Sequence, residues 1–157
     1  MSADRVTPAV RSRMMSGIRG KNTQPELAIR SALHRQGFRF RLHRKDLPGK
    51  PDVVFPGYRA VILVHGCFWH GHGCHLFRWP KTRRDFWRQK ITANIARDHR
   101  HHRALTDCGW RVAIIWECAL KGRTRLSMEA IAEDCATWLN SNETGLVLGG
   151  DEIRTAE

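Results

Sequence analysis

The chain has 157 residues, with 27 Lys and Arg against 15 Asp and Glu, so its formal net charge is +12 before any histidine protonates. A single domain of this length buries a sizeable core without disulfides. Such a basic excess makes a polyanion the default partner, because each phosphate neutralised releases counterions and the field speeds encounter. The start, Met1-Ser-Ala-Asp-Arg5, has no apolar signal region, no stretch approaches a membrane span, and the five cysteines are an odd number. These features point away from a membrane protein or a disulfide scaffold and towards a soluble, intracellular chain with metal-bound thiolates. Six tryptophans spread among many arginines suit stacking on nucleic acid.

Residues 1–22 form a basic arm. Thr7 and Pro8 predict the start of a short helix ended by Gly17 and Gly20, and Arg5, Arg11, Arg13, Arg19 and Lys21 would grip phosphate. Thr23-Gln24-Pro25-Glu26 is a capping box that opens a helix through Leu27, Ile29 and Leu33 to Gln36, stopped by Gly37. Phe38 to Leu42 alternates apolar residues with arginine and reads as a half-exposed strand. Lys50-Pro51-Asp52-Val53-Val54-Phe55 is a buried-type strand entered through an aspartate, and Pro56-Gly57 turns it into the central strand Ala60 to Val64. Asp52 at the mouth of one strand and His65 at the end of its hairpin partner can converge on one point; a simple turn-forming role for Asp52 is the competing reading.

The stretch Val61 to His75 changes from four aliphatic residues to imidazoles and thiols separated by glycines. Cys67, Cys74 and the distant Cys118, with one imidazole, would close a tetrahedral Cys3His zinc site, and spacing leaves His70, His72 and His75 all open as the fourth ligand. A histidine outside that set is free for proton transfer. Leu76 to Pro80 is a loop rich in stacking groups. Thr82 to Asp85 repeats the capping-box pattern and begins a long helix to about Thr106, on which Trp87, Lys90, Asn94, Asp98 and His101 share one polar stripe. Lys90 and Asn94 carry the donors and acceptors that base edges require. Gly109 to Cys118 is a third buried strand, Leu126 to Leu139 an amphipathic helix, and disorder is expected from Asn140. This order predicts an α/β sandwich with a central mixed β-sheet flanked by helices, organised as the arm 1–22, a domain 23–140 and a flexible tail 141–157.

The motifs Arg-Ser-x-x-Met (11–15), Leu-Pro-Gly-Lys-Pro-Asp (47–52), His-Gly-Cys-Phe-Trp-His (65–70), Phe-Trp (86–87) and Trp-Glu-Cys-Ala-Leu (116–120) resemble those of the very-short-patch-repair (Vsr-type) mismatch endonucleases over roughly Arg11 to Gly122. The resemblance implies a type II restriction endonuclease-like fold. It implies binding of a T:G mismatch left by deamination of 5-methylcytosine, and nicking of the strand beside the thymine. By position, Asp52 and the backbone carbonyl of Val64 would hold magnesium, His65 and Asp98 would hold metal-bound water or phosphate, His70 would be the general base, and Glu26 would lie beside the site. Cys67, His72, Cys74 and Cys118 would hold structural zinc. Phe68, Trp69 and Trp87 would wedge into the base stack, Lys90 and Asn94 would read displaced bases from the major groove, and Met15 would enter from the minor groove. Two departures stand out: Val64-His65 replaces the Glu/Asp-x-Lys pair of restriction enzymes, and Val64 stands where relatives carry threonine. The expected partners are T:G-mismatched duplex DNA and other mismatch-repair proteins, with the chain a monomer associated with the nucleoid of a bacterial-type cytoplasm. Two other functions fit the residues: a zinc-stabilised DNA-binding module without catalysis, and a restriction-type nuclease acting on fully paired DNA.

Overall fold

Thr23 accepts a hydrogen bond at Oγ1 from the Glu26 amide at 3.4 Å and starts α1, Gln24–Arg35, whose Ile29, Ala32 and Leu33 face inward. The computed structural model describes residues 23–150 and the backbone of Ile153–Arg154. The basic arm, its predicted helix and Met15 therefore lie outside the described residues. Six strands follow in one sheet: β1 Arg41–Leu42, β2 Val53–Phe55, β3 Ala60–His65, β4 Arg111–Trp116, β5 Gly145–Leu148 and β6 Ile153–Arg154. Their spatial order is their chain order. The pairs β1/β2, β2/β3 and β5/β6 are antiparallel, whereas β3/β4 and β4/β5 are parallel. Parallel neighbours need crossovers, supplied by α2, Arg84–Asp107, between β3 and β4, and α3, Met128–Leu139, between β4 and β5.

Side chains alternate across a strand, and here both faces are covered. Phe55, Ile62 and Ile115 point into a core with Ile29 and Leu33 of α1 and Ile131 and Leu139 of α3. Val54, Val61, Leu63 and Val112 form a second cluster with Leu105 of α2 and with Trp110. This double burial is why the central strands are continuous apolar runs rather than alternating ones. The α/β, mixed-sheet expectation is met.

Four local expectations are corrected. Only Arg41–Leu42 of the predicted Phe38–Leu42 strand pairs in the sheet, because Phe38 and Phe40 turn inward against Phe55. His65 is the last residue of β3 rather than the first beyond it. No capping box forms at Thr82: α2 starts after Arg83, which has φ +53° and makes no side-chain cap, its guanidinium lying over the Phe86 ring at 4.2 Å. The stretch after Asn140 is not disordered throughout, since Leu146 and Leu148 are buried in β5 against β4. Its glycines and polar residues pointed to a tail, but Gly145-Leu-Val-Leu148 is short, apolar and long enough to complete the sheet.

Candidate active site and metal centre

Register places the chemistry. β3 and β4 are parallel with His65 opposite Trp116, so Cys67 and Cys118, each two residues further on, leave the same end of the sheet side by side. The carboxyl ends of parallel strands are where open α/β sheets build their sites. Sγ of Cys67 and of Cys118 lie 3.5 and 3.6 Å from Nδ1 of His72, and ligand atoms of Cys67, His72, Cys74 and Cys118 all fall within 4.8 Å of one another. With zinc–sulfur and zinc–nitrogen bonds of about 2.3 and 2.0 Å, a tetrahedral site separates S from N by about 3.5 Å. The donor set and its spacing fit a structural zinc ion. Of the three imidazoles left open by spacing, His72 is the one in this cluster.

The surroundings brace it. The His72 ring stacks on Trp116 at 4.0 Å and 8°, the Cys67 amide donates to Glu117 Oε1 at 3.2 Å, and the Gly150 amide donates to Cys118 Sγ at 3.3 Å. A β-carbon at Gly150 would lie 2.4 Å from the Cys118 carbonyl oxygen, so the chain after β5 closes against the cluster only as glycine. Gly71, at φ +62°, is likewise required: a side chain there would meet Ile95 at 2.7 Å and Ile91 at 2.9 Å, where the loop lies on α2. Burial pushes the Cys67 and Cys118 thiols above their ordinary range, so a bound cation must displace protons to engage them.

Beside this cluster, a cleft of about 540 Å³ is lined by Asp52, His65, His70 and Asp98, with Lys45, Lys50 and Arg97 among its cationic residues. Asp52, at the entry to β2, accepts the Val64 amide at 2.8 Å. Burial raises its carboxyl to about 6; the Val64 hydrogen bond opposes that rise, Glu26 adds to it, and His43 and His70 offset part of it. A buried carboxylate at the mouth of a cationic cleft suits a hard divalent cation. His70 Nδ1 lies 2.5 Å from Asp98 Oδ2. Burial favours the neutral acid at Asp98, but the hydrogen bond and charge of His70 outweigh it and hold Asp98 below the usual carboxylate range. In the form without a proton on Nε2, Nδ1–H is donated to Asp98 and Nε2 is presented as an acceptor, the tautomer assigned from this bond. His65 stacks on His70 at 3.9 Å and 3°. Burial, reinforced by His70, lowers His65 to about 3, and its Nδ1 has no hydrogen-bond partner among the described residues. Burial thus favours the neutral imidazole at His65. Glu26, Asp52 and His43 form a third group with ligand atoms within 4.8 Å.

The raised Asp52 carboxyl makes stability depend on pH. Its folded-state pKa lies above the ordinary value, so its contribution to stability is complete below about pH 4 and is lost as pH rises through about 6. At pH 7.5 the cation-free protein carries a penalty of roughly 3 kcal/mol from ionising this group. Asp52→Asn is expected to melt higher than the parent at pH 7.5 without divalent cations, with the gap narrowing towards pH 5. Thermal denaturation at the two pH values measures it, and a variant less stable than the parent at pH 7.5 contradicts it.

The same loop carries the rings. Phe68 lies 5.2 Å from Trp69 and 5.3 Å from Trp87, and Trp69 lies 5.8 Å from Trp87. All three are half-buried, and the run continues through Phe77 to Trp79, which is 51% exposed. Lys90 is exposed, as the polar stripe on α2 required. Asn94 is placed differently: it is 5% exposed, its Nδ2 donates to the Trp69 carbonyl at 2.9 Å, and Arg97 donates to its Oδ1 at 3.1 Å. The loop covers that part of α2 and engages both ends of the amide, which periodicity alone does not reveal. Sequence reasoning also missed Trp116 as the platform under His72, and His43, whose place depends on the β1/β2 register.

Comparison with known proteins gives the family. The family model for DNA mismatch endonuclease Vsr matches residues 3–76. The chain is 59% identical over 117 residues to the type II nicking enzyme V.XorIIP of Xanthomonas oryzae, covering 74% of this chain and 86% of that protein. It is 47% identical over 137 residues to DNA mismatch endonuclease Vsr of Escherichia coli, covering 87% and 88%. With the type II nicking enzyme V.NmeAIP of Neisseria meningitidis the identity is 43% over 120 residues, covering 76% and 86%. These relatives define the class as a nuclease. The chain belongs to the Vsr family of DNA mismatch endonucleases. Among the described residues, no helix is long and apolar enough to cross a membrane.

Proposed function

We propose that the enzyme nicks DNA at T:G mismatches, hydrolysing the phosphodiester beside the mismatched thymine in a magnesium-dependent reaction. The observation that carries this reading is the cleft that Asp52 shares with the His70–Asp98 pair, where His70 directly follows Phe68 and Trp69, rings that pack with Trp87 of α2. Asp52 and the Val64 carbonyl would hold Mg2+, which when bound offsets charge developing on the phosphoryl and leaving oxygens. His70 takes the proton of the attacking water at Nε2, while Asp98 holds the ring in the required tautomer and favours the imidazolium that results. His65, neutral, donates to or accepts from the phosphate and its water without adding charge. Lys45, Lys50 and Arg97 draw the backbone into the cleft. Cys67, His72, Cys74 and Cys118 would hold Zn2+ and keep the Phe68–His70 segment at a fixed distance from Asp52.

Specificity follows from the rings. Wedging a side chain between base pairs costs a few kcal/mol per step and least at a mispair, so the insertion itself favours T:G over Watson–Crick pairs. Asn94 steadies the Trp69 backbone and Lys90 reaches the displaced bases. The Met15 side chain enters from the minor groove on the N-terminal arm. Truncating Trp69 to alanine is expected to weaken binding of a T:G duplex about 10- to 100-fold, with little change on fully paired DNA, since base–aromatic stacking is worth about 1–3 kcal/mol. Titration of both duplexes by fluorescence anisotropy measures this, and equal losses on the two would remove the wedge.

The functional test is strand-resolved: a duplex with one T:G pair, each strand labelled at its end in turn, should yield one cut, in the thymine strand, next to the thymine. Cleavage of both strands of paired DNA supports the restriction-type reading. Tight binding without any product supports the binding module.

A further inference from the structure

His43 is brought opposite Asp52 by the register of the first two strands, where Leu42 faces Val53 and the His43 amide donates to the Asp52 carbonyl at 3.3 Å. Its backbone then enters the left-handed region, φ +47°, which disfavours any residue with a β-carbon and is retained mostly where a side chain must be aimed. From there Nε2 reaches 2.5 Å from Oε1 of Glu26, a carboxylate that is 2% exposed and that Arg30 also grips at 3.3 Å. Glu26 belongs to α1 and Asp52 to the sheet, so nothing in the local sequence holds these two like charges together. Yet ligand atoms of Glu26, His43 and Asp52 lie within 4.8 Å of one another.

We infer that His43 is a positioning residue for the cation site, holding the Glu26 carboxylate against Asp52 so that carboxylates from the helix layer and the sheet face one divalent ion. This rests on the reading of Asp52 as the cation-binding carboxylate. Arg30 grips Glu26 from its own helix, and His43 grips it from the segment that follows β1 and faces Asp52. Glycine at φ +47° relieves backbone strain and so offsets part of the cost of removing the tether, while glutamine, which restores a nitrogen donor, separates the tether from the backbone.

The test uses Mn2+ as probe, with the zinc-loaded, DNA-free chain and free Mn2+ followed by electron spin resonance. His43→Gly is expected to stay folded, with a lower melting temperature, and to bind Mn2+ about 10- to 100-fold more weakly, the usual effect of removing a partner of a ligating group. His43→Gln, which restores a nitrogen donor to Glu26, is expected to return the affinity to within about threefold of the parent. Parental Mn2+ affinity in folded His43→Gly overturns the inference, as does His43→Gln binding no better than His43→Gly. Asp52→Asn is the control: if it binds Mn2+ like the parent, the cation-site reading itself fails, whereas weak binding by Asp52→Asn beside parental binding by His43→Gly removes only the role of His43.

Discussion

Asp52→Ala is expected to nick T:G-mismatched DNA at least about a thousandfold more slowly than the parent, while its affinity for that DNA stays within about threefold. The size follows from what the carboxylate does. A divalent cation at a scissile phosphate supplies several kcal/mol to the transition state, and about 4 kcal/mol corresponds to a thousandfold in rate. Asp52 is the side chain best placed to hold that cation, being recessed in the cleft, fixed by the Val64 amide and adjacent to the His70–Asp98 pair. The rings and cations proposed to meet DNA are side chains other than Asp52, so binding is expected to survive. Single-turnover nicking with saturating enzyme, set beside an anisotropy titration, separates the two quantities. A variant that nicks at the parental rate, or that loses rate and affinity in equal measure, is incompatible with the assignment.

Loss of the thiol cluster should act on the fold as strongly as Asp52 acts on the chemistry. Cys118→Ser is expected to lower stability by at least about 3 kcal/mol, or about 10 °C in melting temperature for a domain of this size. Four side chains from two parts of the chain meet there, and the ion they fit closes a loop that begins at Cys67 and is completed across the sheet at Cys118. Without that ion the thiols are neutral, because burial keeps both Cys67 and Cys118 protonated, and four polar groups face one another with nothing to join them. Serine also removes the sulfur that accepts the Gly150 amide, so the end of β5 loosens with the loop. Stripping zinc from the parent with a strong chelator should reproduce the loss, and zinc released on thiol modification should fall from one ion per chain towards none. An unchanged melting temperature after complete removal of zinc contradicts a structural role.

The parts of this molecule that could be read from the sequence are those set by local chemistry. Thr23 and Glu26 marked the start of α1, Val61-Ile-Leu-Val64 marked a buried strand, and the thiols with their imidazoles marked a metal centre. Periodicity also put Trp87, Lys90 and Asp98 on one face of α2. What escaped depended on register or on a second layer. Asn94 shares the polar stripe but is covered by the loop that Gly71 allows to lie on α2. His43 looks like any surface histidine until β1 is paired with β2. Gly145 to Leu148 resembled a tail because four apolar residues among glycines carry no signal for the edge they complete. Choosing His72 over His70 and His75 required distances, since all three sit in the same short run; the family resemblance had pointed to the same residue.

The central claim is that a cation-holding carboxylate and a proton-accepting imidazole share one cleft, and that the segment carrying the imidazole also carries rings that sense mispairs. It is tested most directly by single-turnover nicking of two duplexes identical except for one T:G or one T:A pair, with the zinc-loaded enzyme, in the presence and absence of magnesium. The account predicts a single nick beside the thymine of the T:G duplex, at least about a hundredfold faster than any cut in the T:A duplex and dependent on magnesium. Equal rates on the two duplexes, or an undiminished nick with magnesium withheld, would contradict it.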